Sequence, residues 1–213
     1  DLSIEPGTVF EWKQKRGELT LPNEELVLGM NKLTSSILRA NGLARYEISN
    51  YAIPGHASRH NRVYWSGAGW WAFGMGATSA PWGERVARPR TREEYKRWIY
   101  QQEINGLDRS LIARNSKIFN LDDQLIVGLR RREGVDLESL AKSWGWDNHE
   151  SDMYLNSLES RWQDFLEQGL LQSMGRRYFL SDPHGIEISN QVLIEMLLWW
   201  DSLPDSAVHP PTV

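Results

Sequence analysis

Tyr46-Glu47-Ile48-Ser49-Asn50-Tyr51-Ala52-Ile53-Pro54-Gly55 is the stretch on which the fold turns. Its first seven residues alternate enough to predict a strand, and Ile53-Pro54-Gly55 is a turn signal that ends it. Upstream, Asn23 is placed to cap a helix in which Leu26, Met30, Leu33 and Ile37 recur at helical spacing. Gly42 then stands where a helix-ending glycine belongs, so the helix is read over about 24–41. Residues 1–22 read as loop, with Glu5-Pro6-Gly7-Thr8 as a turn. Downstream, 56–71 reads as a loop with at most one helical turn. Phe73 to Ser79 is small and apolar and predicts a buried strand, which Pro81-Trp82-Gly83 turns into a hairpin with 85–88. A charged helix follows over about 91–105, with Tyr95, Trp98 and Ile99 on one face. Helix, strand, loop, strand, helix is the order of an α/β layer or of part of a barrel.

From residue 120 the pattern changes. Asn120-Leu121-Asp122-Asp123 opens a helix through Arg132, and Asp136 caps a short helix to about Trp144. Ser151 is read as the start of a longer helix, with Leu155, Leu158, Trp162 and Phe165 inward and Gly169 ending it. Leu170 to Ser173 and Arg176 to Leu180 form two short strands around Met174-Gly175. Asp182-Pro183 begins a last helix to about Trp200, and 201–213 is expected to be a loose tail. Helices with a two-stranded ribbon predict a winged-helix-like module.

Composition narrows the chemistry. The chain has 213 residues, 24 Lys plus Arg against 28 Asp plus Glu, eleven Trp and no Cys. Without cysteine it has no disulfide, no thiolate zinc site, no cysteine nucleophile and no cysteine-ligated cluster of its own. Its apolar runs fall far short of the ~20 residues that a membrane-spanning helix needs, so a cytoplasmic location is the expectation. The charge is unevenly spread: by count, about +6 over 59–119 and about −9 over 120–213. An acidic helical module is ill suited to phosphate backbones, so no nucleic-acid partner is expected and a structural or docking role is favoured.

Several local patterns invite chemistry. Gly74-Met75-Gly76 lacks the third glycine and the following helix of a dinucleotide loop; glycines within a strand instead allow a backbone or flat ligand to come close. His56 and His60 have the i, i+4 spacing of paired metal ligands, with Glu47 the one further candidate. The segment Arg59-His60-Asn61-Arg62-Val63-Tyr64-Trp65 joins an imidazole, two guanidiniums and two amphipathic aromatics, with Trp70, Trp71 and Trp82 close by. Imidazole ligates haem iron, aromatic rings stack on a macrocycle, and arginine grips carboxylates such as propionates.

Glu5-Pro6-Gly7-Thr8, the stretch from Tyr46 to Ala52, Pro54-Gly55, Arg59 to Trp65 and Gly74-Met75-Gly76-Ala77 occur in this order. Gly128-Leu129-Arg130, Gly134-Val135, Gly169-Leu170-Leu171 and Ser189-Asn190 follow. Together they resemble the C-terminal half of the radical S-adenosylmethionine proteins related to oxygen-independent coproporphyrinogen III oxidase. Within that group they are most similar to the HemW haem chaperones, whose H-N-x-x-Y-W motif is matched by His60, Asn61, Tyr64 and Trp65. The resemblance covers almost the whole chain to about residue 200.

It implies the C-terminal part of an incomplete (β/α) barrel over 1–118, a mainly helical HemN-type domain over 119–200, and the tail 201–213. It also implies haem or porphyrin as ligand, acceptor haemoproteins as partners, and a [4Fe–4S] cluster carrying S-adenosylmethionine. The C-x-x-x-C-x-x-C loop that holds such a cluster is absent here, so radical initiation by this chain alone is excluded. A fragment, or a chain working with a separate cysteine-bearing N-terminal half, is the expectation. What the resemblance carries over is a site: His60 on haem iron, Tyr64 and Trp65 on the macrocycle, Asn61 fixing the loop, Arg59 or Arg62 on propionates, and Gly74 and Gly76 allowing close approach. A purely structural role for His60 and Asn61 is the rival reading. Coproporphyrinogen III dehydrogenation and a non-catalytic winged-helix interaction module are the alternative functions.

Overall fold

Thr8 and Glu11 have the spacing of a helix-capping pair, and in the computed structural model they start α1 (Val9–Lys15) inside the stretch expected to be loop. The Thr8 hydroxyl accepts from the Glu11 N–H, and Glu11 Oε2 accepts from the Gly7 N–H at 2.7 Å. The structure describes residues 4–81, 85–106 and 121–209, and the chain divides into two units, Asp1–Ala44 and Arg45–Val213. In the first unit Asn23 caps α2 (Glu24–Ala40) as expected, its Oδ1 accepting from the Leu26 N–H at 2.9 Å. The apolar stripe of α2 is present, but Leu26, Met30, Leu33 and Ile37 are all exposed.

The second unit mixes helices with small sheets. A two-stranded ribbon of β1 (Ala44–Arg45) and β2 (Tyr51–Ala52) comes first. The strand expected over 46–52 is therefore confined to its end. Residues 46–50 instead form a turn closed by the Tyr46 N–H on the Asn50 carbonyl. Glu47 imitates strand alternation by pointing inward, where its carboxylate accepts from the Ser49 N–H and the Asn50 side chain. Then come α3 (Arg59–Trp65), the hairpin of β3 (Thr78–Ser79) with β4 (Val86–Ala87), and α4 (Arg92–Asn105). The buried strand expected over 73–79 is corrected as well. Gly74 and Gly76 sit at φ +96° and +69°, which breaks an extended run, and Phe73 is 83% exposed.

The domain boundary expected near residue 118 lies outside the described residues. Beyond it, α5 (Leu121–Arg130), α6 (Leu137–Trp144) and α7 (Asn148–Arg161) precede the short α8 (Gln163–Glu167). The start of α7 falls at Asp147 rather than Ser151, because Asp147 and Glu150 form a reciprocal capping box. β6 (Leu171–Met174) and β7 (Arg177–Leu180) are the two expected strands, but the sheet has a third, β5 (Val135–Asp136). The order is β5-β7-β6, all antiparallel, with Val135 opposite Tyr178 and Leu171 opposite Leu180. The last helix is split into α9 (His184–Glu187) and α10 (Ser189–Asp201).

The core lies here. Leu121, Leu125 and Leu129 of α5 meet Leu155, Leu158 and Trp162 from the α7 region and Val192, Met196 and Trp199 from α10. Burial of this many large apolar side chains is the main stabilising term, at roughly 1.5–3 kcal/mol each. Two of the core indoles have their N–H groups matched: Trp162 donates to the Val192 carbonyl, and Trp199 to the Tyr154 carbonyl and the Ser157 hydroxyl. The tail expected to be loose is structured over α11 (Asp205–Val208), where buried Ala207 accepts from both Trp144 and Trp146.

Tyr178 is buried against Trp162, and burial, with its bond to Glu159, pushes its hydroxyl above the usual tyrosine range. A raised folded-state value means stability that is whole below the unfolded value of about 10 and lost as pH rises beyond it. The melting temperature of the chain should therefore fall above about pH 10, and less steeply in Tyr178→Phe. Identical alkaline slopes in thermal melts of the two proteins would refute this.

Candidate functional site

Ser58 caps α3 by accepting from the Asn61 N–H at 3.3 Å, which turns the expected loop into a helix of seven residues. A helix separates the motif by face. Asn61, Arg62 and Trp65 turn toward the rest of the second unit. The Asn61 amide donates to the Tyr46 hydroxyl at 3.3 Å. Arg62 pairs with Glu133, 71 residues away, at 2.5 Å. Trp65 lies under the Arg130 guanidinium, whose carbon is 4.7 Å from the ring centre, a cation–π contact.

His60 and Tyr64 turn the other way. They are one helical turn apart, with Tyr64 Oη 3.1 Å from His60 Nε2 and the rings edge-on at 4.9 Å between centres. Tyr64 is backed by Trp70, with ring centres 4.7 Å apart. Trp70 is itself pinned: its Nε1–H donates to the Thr78 carbonyl at 2.9 Å, and its backbone pairs with Ala80. The hairpin thus braces the outward face of α3. Arg59 is exposed beside it.

Beneath α3, the Ile48 N–H donates to the Arg130 carbonyl and the Arg132 N–H to the Tyr46 carbonyl. The 46–50 turn is thereby tied to the end of α5. Arg45, Glu47, Arg130, Arg131, Arg132 and Asp182 line a small pocket there. Glu47 is 2% exposed: its Oε1 accepts from Ser49 and Asn50, while its Oε2 is buried without a hydrogen-bond partner in the pocket that the arginines line. Burial opposes the charge on Glu133, yet a backbone amide and Arg62 outweigh it and hold its carboxyl below the ordinary range.

The other sequence candidates fall elsewhere. His56 is exposed in the loop before α3, and among the described residues no cluster of three His, Cys, Asp or Glu can hold a metal ion. Gly74 and Gly76 form a bend that exposes Phe73 and Met75. A side chain on Gly74 would meet nothing within 4 Å, and one on Gly76 would only touch Arg90 at 3.6 Å. Glu133 and Tyr46 are the contributors that the sequence reading missed. Neither carries a local signal, since their partners lie far off along the chain.

These features define a helix-rich α/β protein whose exposed nitrogen and oxygen donors converge on one face of a short, anchored helix. By sequence the chain is a relative of the HemW-type haem chaperones and of radical S-adenosylmethionine domain proteins. It is 35% identical over 206 residues to "Heme chaperone HemW" of Synechocystis, covering 91% of this chain and 49% of that protein. With the protein of the same name from Bacillus subtilis the identity is 29%, over 90% of this chain and 48% of the relative. With "Radical S-adenosyl methionine domain-containing protein 1, mitochondrial" of Danio rerio it is 26%, over 91% and 42%. The chain spans about half the length of these relatives. No family model and no solved structure matches it. No helix among the described residues is long and apolar enough to cross a membrane.

Proposed function

We propose that the chain is the cargo-binding part of a HemW-like protein, receiving haem on the outward face of α3 and passing it to acceptor haemoproteins. The observation that carries this is the His60–Tyr64 pair: two iron-competent donors in contact, backed by Trp70 and left outside the contacts that anchor the helix. The donor set fits haem, and Arg59, exposed at the start of the same helix, supplies a charge for a propionate. It does not fit an iron–sulfur cluster, because the chain has no thiolate. The cluster and its S-adenosylmethionine then fall to a cysteine-bearing N-terminal half. On this reading 1–118 completes that half's barrel and 119–200 is the HemN-type domain.

Arg62 pairs with Glu133 and Trp65 lies under Arg130, so on this reading both serve to anchor α3. Titrating the chain with haemin, followed by absorbance, should give saturable binding of one equivalent. Replacing both donors (His60→Ala with Tyr64→Phe) should weaken it by about ten-fold or more, equivalent to 1.4 kcal/mol per decade. Absence of saturable binding by the native chain, or identical titrations for the two proteins, would overturn the proposal.

A further inference from the structure

Two kinds of polar group are left over in the pocket beneath α3, and their roles are unambiguous. A carboxylate oxygen only accepts hydrogen bonds, and a guanidinium N–H only donates them. Glu47 Oε2 is buried with no hydrogen-bond partner, and so are the Nε atoms of Arg45, Arg130 and Arg131 in the same lining. The three guanidiniums are held in place by other contacts. Arg45 donates to the Ile48 carbonyl at 2.7 Å and to the Tyr51 hydroxyl, Arg131 to the Gly134 carbonyl at 3.3 Å, and Arg130 lies over Trp65. None of them can swing onto Glu47 without giving up one of these. The cavity they line measures about 20 Å³. That is room for one water, which needs about 10–15 Å³, and too little for a carboxylate or a phosphate. Charge narrows the occupant further. A metal cation would face the guanidiniums of Arg45, Arg130, Arg131 and Arg132, and a halide would face the Glu47 carboxylate. Only a small neutral molecule that both donates and accepts answers both sets of atoms.

We infer that this pocket binds a single ordered water, which donates to Glu47 Oε2 and accepts from the arginine Nε–H groups. Buried waters satisfy polar groups that the chain cannot match by itself, and such a water counts nearly as much as a direct hydrogen bond. Its place in the fold gives it a task. Glu47 belongs to the 46–50 turn, and Arg130 and Arg131 lie at the end of α5 and just after it. The water therefore adds a side-chain bridge to the two backbone hydrogen bonds that already tie turn to helix, Ile48 to Arg130 and Arg132 to Tyr46. Across that bridge stand the two residues that hold α3 from below: Tyr46, which accepts from Asn61, and Arg130, which covers Trp65. The water is thus part of the platform of α3, whatever that helix binds on its outward face.

The experiment pairs a high-resolution crystal structure of the whole chain with water-to-protein cross-relaxation measured by NMR. The native crystal should show one water within hydrogen-bond distance of Glu47 Oε2 and of at least one arginine Nε. In solution, long-lived water cross-peaks should reach the N–H protons of the 46–50 turn. Glu47→Gln keeps a carbonyl oxygen for Ser49 and Asn50 but turns an NH2 group toward the guanidiniums, so the water loses its acceptor. Those cross-peaks should then disappear, and the side-chain amide signals of Asn61 should shift, while circular dichroism stays native. A crystal in which Glu47 Oε2 meets an arginine directly, with no water between, would overturn the inference. So would an anomalous signal at this point from bromide soaked into the crystal, or water cross-peaks unchanged in Glu47→Gln. If Glu47→Gln does not fold, the native crystal decides alone. None of these readouts involves haemin, so failure of the chain to bind haemin removes the functional reading and leaves this one standing.

Discussion

Gly134→Ala should lower the stability of the second unit by about 4 kcal/mol, because close contact and an unfavourable backbone angle coincide there. Two effects combine. Gly134 has φ +67°, and a side chain built there would lie 1.9 Å from the Tyr178 carbonyl oxygen and 2.6 Å from Phe179 Cβ. The first contact is with the backbone of β7, the central strand of the three-stranded sheet, so no rotamer change relieves it. With total stability of roughly 5–15 kcal/mol for a domain, such a loss brings the chain to the edge of unfolding. Gly175→Ala provides the comparison. Its φ is +61°, but nothing lies within 4 Å of the added carbon, so the cost should be about 1 kcal/mol, from backbone conformation alone. Urea unfolding of the two variants separates the terms. Equal midpoints would mean that the close approach at Gly134 costs nothing and that the sheet yields. Because Glu133 and Arg130 flank this turn and grip α3, destabilisation here should also loosen haemin binding without touching either donor.

What the sequence disclosed follows from how far each determinant acts. Helices announced by a cap and a periodic stripe were legible, as with Asn23 before α2 and Asp136 before α6, because caps work within three residues. The Thr8–Glu11 pair was equally local and equally readable, but the surrounding glycine and proline drew the stretch toward loop. β5 was not legible. Two residues give no alternation, and Val135 becomes a strand only by pairing with Tyr178. Phe73 to Ser79 has the composition of a buried strand, and only the positive φ of its glycines shows that it bends out to solvent. At the site, the sequence supplied the donor types but not the direction each one takes. Which motif residues face outward is decided by Glu133, Arg130 and Tyr46, and these lie too far along the chain for any spacing rule to reach.

Removing residues 204–213 should cost about 4 kcal/mol, although most of the deleted segment is small or polar. The reason is one carbonyl. Ala207 oxygen accepts from Trp144 Nε1 at 2.9 Å and from Trp146 Nε1 at 3.0 Å, using both of its lone pairs. Both indoles are buried, and Trp146 also packs against Tyr154 and Trp199, while Trp144 meets Trp200. Deleting the acceptor leaves two buried donors unmatched at about 1–3 kcal/mol each, and it uncovers the core beside Ala207 and Val208. A double-mutant cycle isolates the hydrogen bond from the lost packing. Trp146→Phe in the full chain removes a donor and strands no acceptor, because Trp144 still occupies the carbonyl, so it should cost less than the truncation. In the truncated chain the same substitution removes an unmatched donor, so it should cost clearly less than in the full chain, or stabilise. Equal costs of Trp146→Phe in both backgrounds, measured by urea unfolding, would show that Ala207 does not hold the indoles. The tryptophans thus play two distinct structural roles. Trp144, Trp146, Trp162 and Trp199 of the C-terminal core donate to backbone carbonyls. Trp65 and Trp70 brace the helix that carries the donors, and a lesion in the tail should unfold the protein without changing the spectrum of whatever fraction still binds haemin.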